Sequence, residues 1–157
     1  MITTALSTLV GAPRDRVWRA LSDPAEIVRW DERAVQLLEP VAQPLALGCV
    51  LRWRYLVGGV PLELREEVLD VVPRERLHTL GQLGLFRFEQ TFTLADDAAD
   101  PARTRLGLRL TSDNAVPVVG GLLDRFSVRR QAADFVDFRL RALQKWCEAR
   151  QPATPAG

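Results

Sequence analysis

Residues Ala12–Trp30 read APRDRVWRALSDPAEIVRW, and this stretch decides the fold. Pro13 suits the first turn of a helix, where its missing N–H leaves no bond unmade. Val17, Trp18 and Leu21 give that helix an apolar face. Ser22-Asp23-Pro24 then stops it and starts another. Asp23 can cap, Pro24 fits the first helical position, and Glu26 favours the positive end of the helix dipole. Ile27, Val28 and Trp30 would tuck this second short helix against a sheet.

Strand-like alternation surrounds the helical pair. Upstream, Ile2–Val10 alternates loosely and is ended by Gly11. Downstream, Ala34–Val41 predicts a strand, followed by a Pro-containing loop to Gly48. Cys49–Val57 puts Leu51, Trp53, Tyr55 and Val57 on one face and Arg52 and Arg54 on the other. Gly58-Gly59 is a hairpin signal into Pro61–Val72. Pro73 opens a turn to a short strand, Arg76–Gln82. In Leu85–Leu94, Phe86, Phe88, Gln90, Phe92 and Leu94 share a face. The acidic loop Asp96–Asp100 leads to Arg103–Ser112, with Thr104, Leu106, Leu108 and Leu110 facing in.

From about Val116 to Arg150 the period becomes helical. Val119, Leu122, Phe126, Ala133, Val136, Leu140, Leu143 and Cys147 recur at three- and four-residue steps, interrupted by Arg129 and Arg130. Gly120-Gly121 weakens the first turns. A helix of this length spans on the order of 50 Å at 1.5 Å per residue, enough to cross a whole antiparallel sheet. The expected fold is α+β: a curved antiparallel sheet of about seven strands wrapped around a long C-terminal helix, with two short helices after the first strand.

The 157 residues predict one domain over 1–150, with a flexible Pro/Ala-rich tail at 151–157. Apolar residues make up 47% and charged ones 26%, the balance of a globular protein, and the net charge of +1 offers no field for nucleic acid. No run of about 18 apolar residues suggests a membrane span, and no signal-peptide pattern opens the chain. A cytoplasmic location follows as the simpler expectation. Cys49 and Cys147 match no metal or redox spacing, although one disulfide between them stays open. His78 is the sole histidine, so neither a metal site nor a relay of paired histidines is expected. Gly58-Gly59 and Gly120-Gly121 are the wrong shape for a phosphate loop. No cofactor is implied.

The element order resembles the START-like (SRPBCC) superfamily of helix-grip proteins, which includes birch-allergen-type proteins, lipid-transfer domains and polyketide cyclases. The phrase AP-x3-VW-x-AL-x-DP-x5-W, from Ala12 to Trp30, is similar to the opening of the polyketide cyclase/dehydrase and chaperone-activator branches. Leu140–Glu148, LRALQKWCE, is similar to the end of their last helix. The resemblance implies an internal hydrophobic cavity, and a mouth that Trp30 reaches. Aromatase/cyclase relatives carry a functional arginine on the strand corresponding to Pro61–Val72. A rough alignment puts Glu67 at that position and Arg65 two residues earlier.

Trp53 and Tyr55 from one strand, with Phe86, Phe88 and Phe92 from another, would wall such a cavity or simply fill a core. Gln90 in an apolar register must find a partner or face a hydrated space. The strand Pro61–Val72 has two open phases. One turns Leu62, Leu64, Glu66 and Val68 inward; the other turns in Glu63, Arg65, Glu67 and Leu69. In either phase a glutamate enters the hollow, where burial would fit it for general acid–base work. Tyr55, Arg65, Glu66 and Glu67 are the candidate catalytic residues. Trp30, Trp53, Phe86, Phe88, Gln90, Leu108, Leu122, Phe126 and Arg130 are the candidate ligand-binding residues. A hydrophobic or aromatic small molecule is the expected partner, with a carrier protein or a second copy of the chain as further candidates. Three functions compete. They are a polyketide cyclase, aromatase or dehydratase-like enzyme, a non-catalytic carrier or sensor, and a protein-binding module.

Overall fold

A computed structural model describes residues 2–84, 86–112 and 125–149, and within the last helix the side chains from residue 129 onward. The chain runs through β1 (Ile2–Val10), α1 (Arg14–Ser22), α2 (Pro24–Trp30) and β2 (Ala34–Leu37). It continues through β3 (Val50–Val57), β4 (Val60–Val72), β5 (Arg76–Leu83), β6 (Phe86–Asp96), β7 (Thr104–Ser112) and α3 (Arg125–Ala149). All strands pair antiparallel in one sheet of seven, in the order β1-β7-β6-β5-β4-β3-β2. The strand predicted over Ala34–Val41 is cut to Ala34–Leu37. Its pairing with β3 already shifts register between Ala34 and Gln36, and Pro40 has no N–H to extend the ladder. The predicted helical turns between Val116 and Asp124 lie outside the described residues, as does the tail.

The helical pair forms as its sequence dictates, with two adjustments. Pro13 sits one position before α1, in extended backbone. Val17, Ala20 and Leu21 carry the buried face, while Trp18 is only half-buried. Asp23 ends α1 and caps α2, its side chain accepting from the Ala25 N–H at 3.0 Å. Trp30 closes the pair by donating its indole N–H to the Ala20 carbonyl at 2.9 Å.

Helix α3 presses Val136, Leu140, Leu143 and Cys147 onto the sheet, where they join Val10, Leu106, Leu108 and Leu110 in one core. Gln144 ties it to β1, donating to the Leu9 carbonyl at 3.0 Å. Cys49 and Cys147 are free thiols, and burial pushes the Cys147 thiol up to about 12. The bulge between Val68 and Asp70 breaks the β4–β5 register, the kind of local bend that lets a sheet curl around a helix.

Candidate functional site

The pairing of β3 with β4 settles which phase of β4 looks inward. Leu51 lies opposite Glu66 and Trp53 opposite Leu64. Because side chains alternate faces, Leu64, Glu66 and Val68 follow the buried Leu51 and Trp53 into the interior. The inward placement of Arg65 and Glu67 is therefore corrected. Both project from the outer face, where they approach each other at 3.8 Å with substantial exposure. His78 also faces out, against Glu89 at 3.1 Å.

Glu66 joins a buried chain of polar groups drawn from five elements and from Asp31, the residue that ends α2. Tyr55 on β3 donates its hydroxyl to Asp31 Oδ2 at 3.2 Å. Arg139 on α3 meets the same oxygen through Nε at 3.5 Å. That contact is an ion pair without a hydrogen bond, since Arg139 Nε has no hydrogen-bond partner. Through its other arm, Arg139 donates to Gln90 Oε1 on β6 at 2.8 Å. Gln90 in turn donates Nε2 to Glu66 Oε2 at 2.9 Å, and Thr79 on β5 reaches the same oxygen at 3.4 Å. The guanidinium is framed by aromatic rings, lying 5.3 Å from the Trp30 ring, 5.5 Å from Phe92 and 5.4 Å from Phe135.

Burial and charge set the protonation of this chain. Burial pushes Glu66 above the usual carboxylate range, against the opposing pull of Arg139 and the hydrogen bonds from Gln90 and Thr79. Tyr55 is pushed up by burial too, and stays a neutral phenol. For Arg139, burial alone would favour loss of the proton, but Asp31, Glu66 and Tyr55 hold it above its ordinary value. One guanidinium thus stands between two carboxylates.

Beside this chain lies a cavity of about 990 Å³. Tyr55, Phe86, Phe88, Leu110, Phe135 and Phe138 belong to its aromatic and apolar wall. Phe86 stacks on Phe88 at 5.3 Å, and Phe135 meets Tyr55 and Phe88 edge-on at 6.3 and 6.1 Å. Phe135 lines the cavity and also lies near the Arg139 guanidinium. Around the Gly58-Gly59 turn, Val57, Val60 and Leu62 are 42%, 56% and 40% exposed, and Val57 and Leu62 line the cavity's edge.

Of the candidate residues, Tyr55, Phe86 and Phe88 line this cavity. Trp30, Trp53, Glu66, Gln90 and Leu108 are buried in the interior but are not among its lining residues. Arg130 is exposed and is not among the residues lining the cavity. Leu122 lies outside the described residues, and the Phe126 side chain is likewise not described. Two residues central to the polar chain were not anticipated, Asp31 and Arg139. Arg139 does carry a signal, since it stands three residues after Val136 and four before Leu143, within the apolar stripe. Asp31 follows the buried Trp30 and reads simply as a helix end. Among the described residues no cluster of His, Cys, Asp or Glu could hold a metal ion, and no described helix is long and apolar enough to cross a membrane.

The family model for polyketide cyclase / dehydrase and lipid transport proteins matches residues 1–148. The chain belongs to this family. Solved structures agree on the fold. A START superfamily protein from Mycobacterium smegmatis is 18% identical with a TM-score of 0.75, covering 94% of this chain and 97% of its own. A protein from Thermus thermophilus is 23% identical with a TM-score of 0.73, covering 96% and 99%. The Zhui aromatase/cyclase from a Streptomyces species is 18% identical with a TM-score of 0.69, covering 99% of both chains. No curated protein matches the chain by sequence. The architecture of this cyclase/dehydrase family member is the helix-grip fold of the START-like superfamily.

Proposed function

We propose that this protein binds a flat, largely apolar small molecule between Phe86–Phe88 and Phe135–Phe138, and transforms it by cyclase- or dehydratase-like chemistry. The observation that carries the reading is Tyr55. It is a neutral phenol on the cavity wall, backed by the buried Asp31–Arg139–Gln90–Glu66 chain. Membership of the cyclase/dehydrase family supports it.

A polycarbonyl chain folded against these rings has its reacting carbons held together. Such preorganisation supplies on the order of 7–11 kcal/mol in well-oriented intramolecular reactions. A carbonyl oxygen arriving at Tyr55 competes with Asp31 for the phenolic hydrogen and is polarised toward attack. A carbon between two carbonyls of the same chain gives up a proton to water and forms the new C–C bond as the C=O π pair moves to oxygen, which takes a proton. That hydroxyl and a second α-proton then leave as water and yield the unsaturated ring.

A second reading, a carrier or sensor without chemistry, draws on a different observation. Glu66 Oε2 already accepts from Gln90 and Thr79, and Asp31 Oδ2 from Tyr55, so both acids are engaged internally. Native and denaturing mass spectrometry of gently purified protein test the shared pocket. A stoichiometric aromatic or apolar adduct is expected, and Tyr55→Phe and Glu66→Gln variants are then assayed on that scaffold. Lost turnover with retained binding supports the enzyme, while a scaffold bound equally by all three proteins and never converted supports the carrier. A protein that arrives empty and also excludes xenon and a hydrophobic dye overturns both.

A further inference from the structure

Arg33 is the one cationic side chain among the described residues lining the cavity. Its backbone is held firmly, the N–H donating to Asp31 Oδ1 at 3.1 Å and the carbonyl accepting from the Leu56 N–H at 2.8 Å. Its half-buried guanidinium lies over the Phe138 ring, 4.1 Å from the centroid. Other arginines drawn into the interior are matched by carboxylates, Arg16 by Glu26 at 2.8 Å and Arg139 by Asp31. Arg33 has no such match. Among the described residues no carboxylate stands within ion-pair distance of it and no acceptor takes a hydrogen bond from its side chain, although Glu32 and Asp134 line the same cavity.

We propose that the ligand of this cavity is an aromatic carboxylic acid, with its ring system on Phe86 and Phe88 and its carboxylate on Arg33. A guanidinium presents a planar fork of N–H donors that fits a carboxylate with two parallel bonds. Stacking on Phe138 restrains it before the ligand arrives, so less side-chain freedom is lost on binding. The acids at the rim decide the ligand's charge. A singly charged, delocalised carboxylate gains the guanidinium, whereas a doubly charged phosphate would bring twice the repulsion from Glu32 and Asp134. The inference rests on the cavity being the ligand site.

Titration calorimetry with naphthoic acid and its neutral amide, at neutral pH, separates the two ideas. The unaltered protein is expected to bind naphthoate about tenfold more tightly than naphthamide, the factor a charge-assisted hydrogen bond provides. Arg33→Met, which keeps an apolar stem against Phe138, is expected to erase that preference by weakening naphthoate alone. Arg33→Gln repeats the comparison with a polar side chain, and unchanged naphthamide binding certifies the fold of each variant. Equal affinities in the unaltered protein, or equal loss of both probes in both variants, overturn the role of Arg33 and leave the pocket standing. If neither probe binds, the pocket reading fails and the carboxylate assignment falls with it.

Discussion

Arg139 is the one described guanidinium within ion-pair distance of the buried Asp31, and it reaches Glu66 only through Gln90. Breaking a buried pair by removing one partner costs about 3–5 kcal/mol, because the charge left behind has no compensation. Arg139→Met is expected to lower the urea unfolding free energy by that amount. A loss under 1 kcal/mol would show that the pair contributes little. Glu66→Gln has a different signature. Glutamine keeps an acceptor for Gln90 and Thr79 and removes the titrating group. Burial holds the Glu66 proton on in the folded protein at pH values where the unfolded chain has released it. Its stabilising contribution is therefore complete below the ordinary carboxylate range and is lost as pH rises through the folded value. Asp31 acts in the same direction, and Arg139 with the hydrogen bonds from Gln90 and Thr79 acts against it without reversing it. Glu66→Gln should thus gain on the unaltered protein as pH rises from about 4 toward 8, read from paired urea midpoints. A difference that stays flat across that range would place the titration elsewhere.

At the level of elements, β5 makes room for the cavity wall by lacking a side chain. Gly81 lies opposite Glu66 on one side and Phe88 on the other. A Cβ built there would come within 2.3 Å of Phe88 Cζ, an approach no real structure holds. Gly81→Ala must displace a ring packed against Phe86 and Phe135, so the expected cost is about 1–3 kcal/mol, as for other overpacked cores. A dye or naphthamide bound in the cavity should weaken together with the melting temperature. An unchanged melting temperature would mean that Phe88 has an empty space to enter. The sequence revealed the elements well, because strict alternation in β3, β6 and β7 and the Pro13–Pro24 punctuation depend on local chemistry. The phase of β4 was not legible. Leu62-Leu64-Glu66-Val68 and Glu63-Arg65-Glu67-Leu69 both mix leucine with acid, and only the partner strand chooses between them. Asp31 was hidden because it reads as a helix end, and Arg139 showed only its place within the apolar stripe of α3. A charge in an apolar stripe reads as an interruption until a distant carboxylate and three aromatic rings are seen to meet it.

For the molecule as a whole, the sheet and α3 share one core, and the short helices close its end. Val10, Leu106, Val136, Leu143 and Cys147 belong to a single buried cluster that also includes Trp30, Trp53 and Tyr55. The polar chain runs through the same volume, from α3 to β6, β4 and β3. Removing α3 would therefore expose apolar surface on the sheet and strand Asp31 at once, so neither layer has a reason to persist alone. Unfolding in urea should be one transition. Fluorescence from Trp18, Trp30, Trp53 and Trp146, which report on α1, α2, β3 and α3, should superimpose on far-ultraviolet dichroism, which reports mostly on the backbone. A ligand present at about 100 times its dissociation constant should shift both curves together, by about 2.7 kcal/mol, since it binds only the assembled cavity. If dichroism were lost before fluorescence, α3 would be leaving an intact sheet. The cavity would then depend on a separable helix, not on one cooperative core.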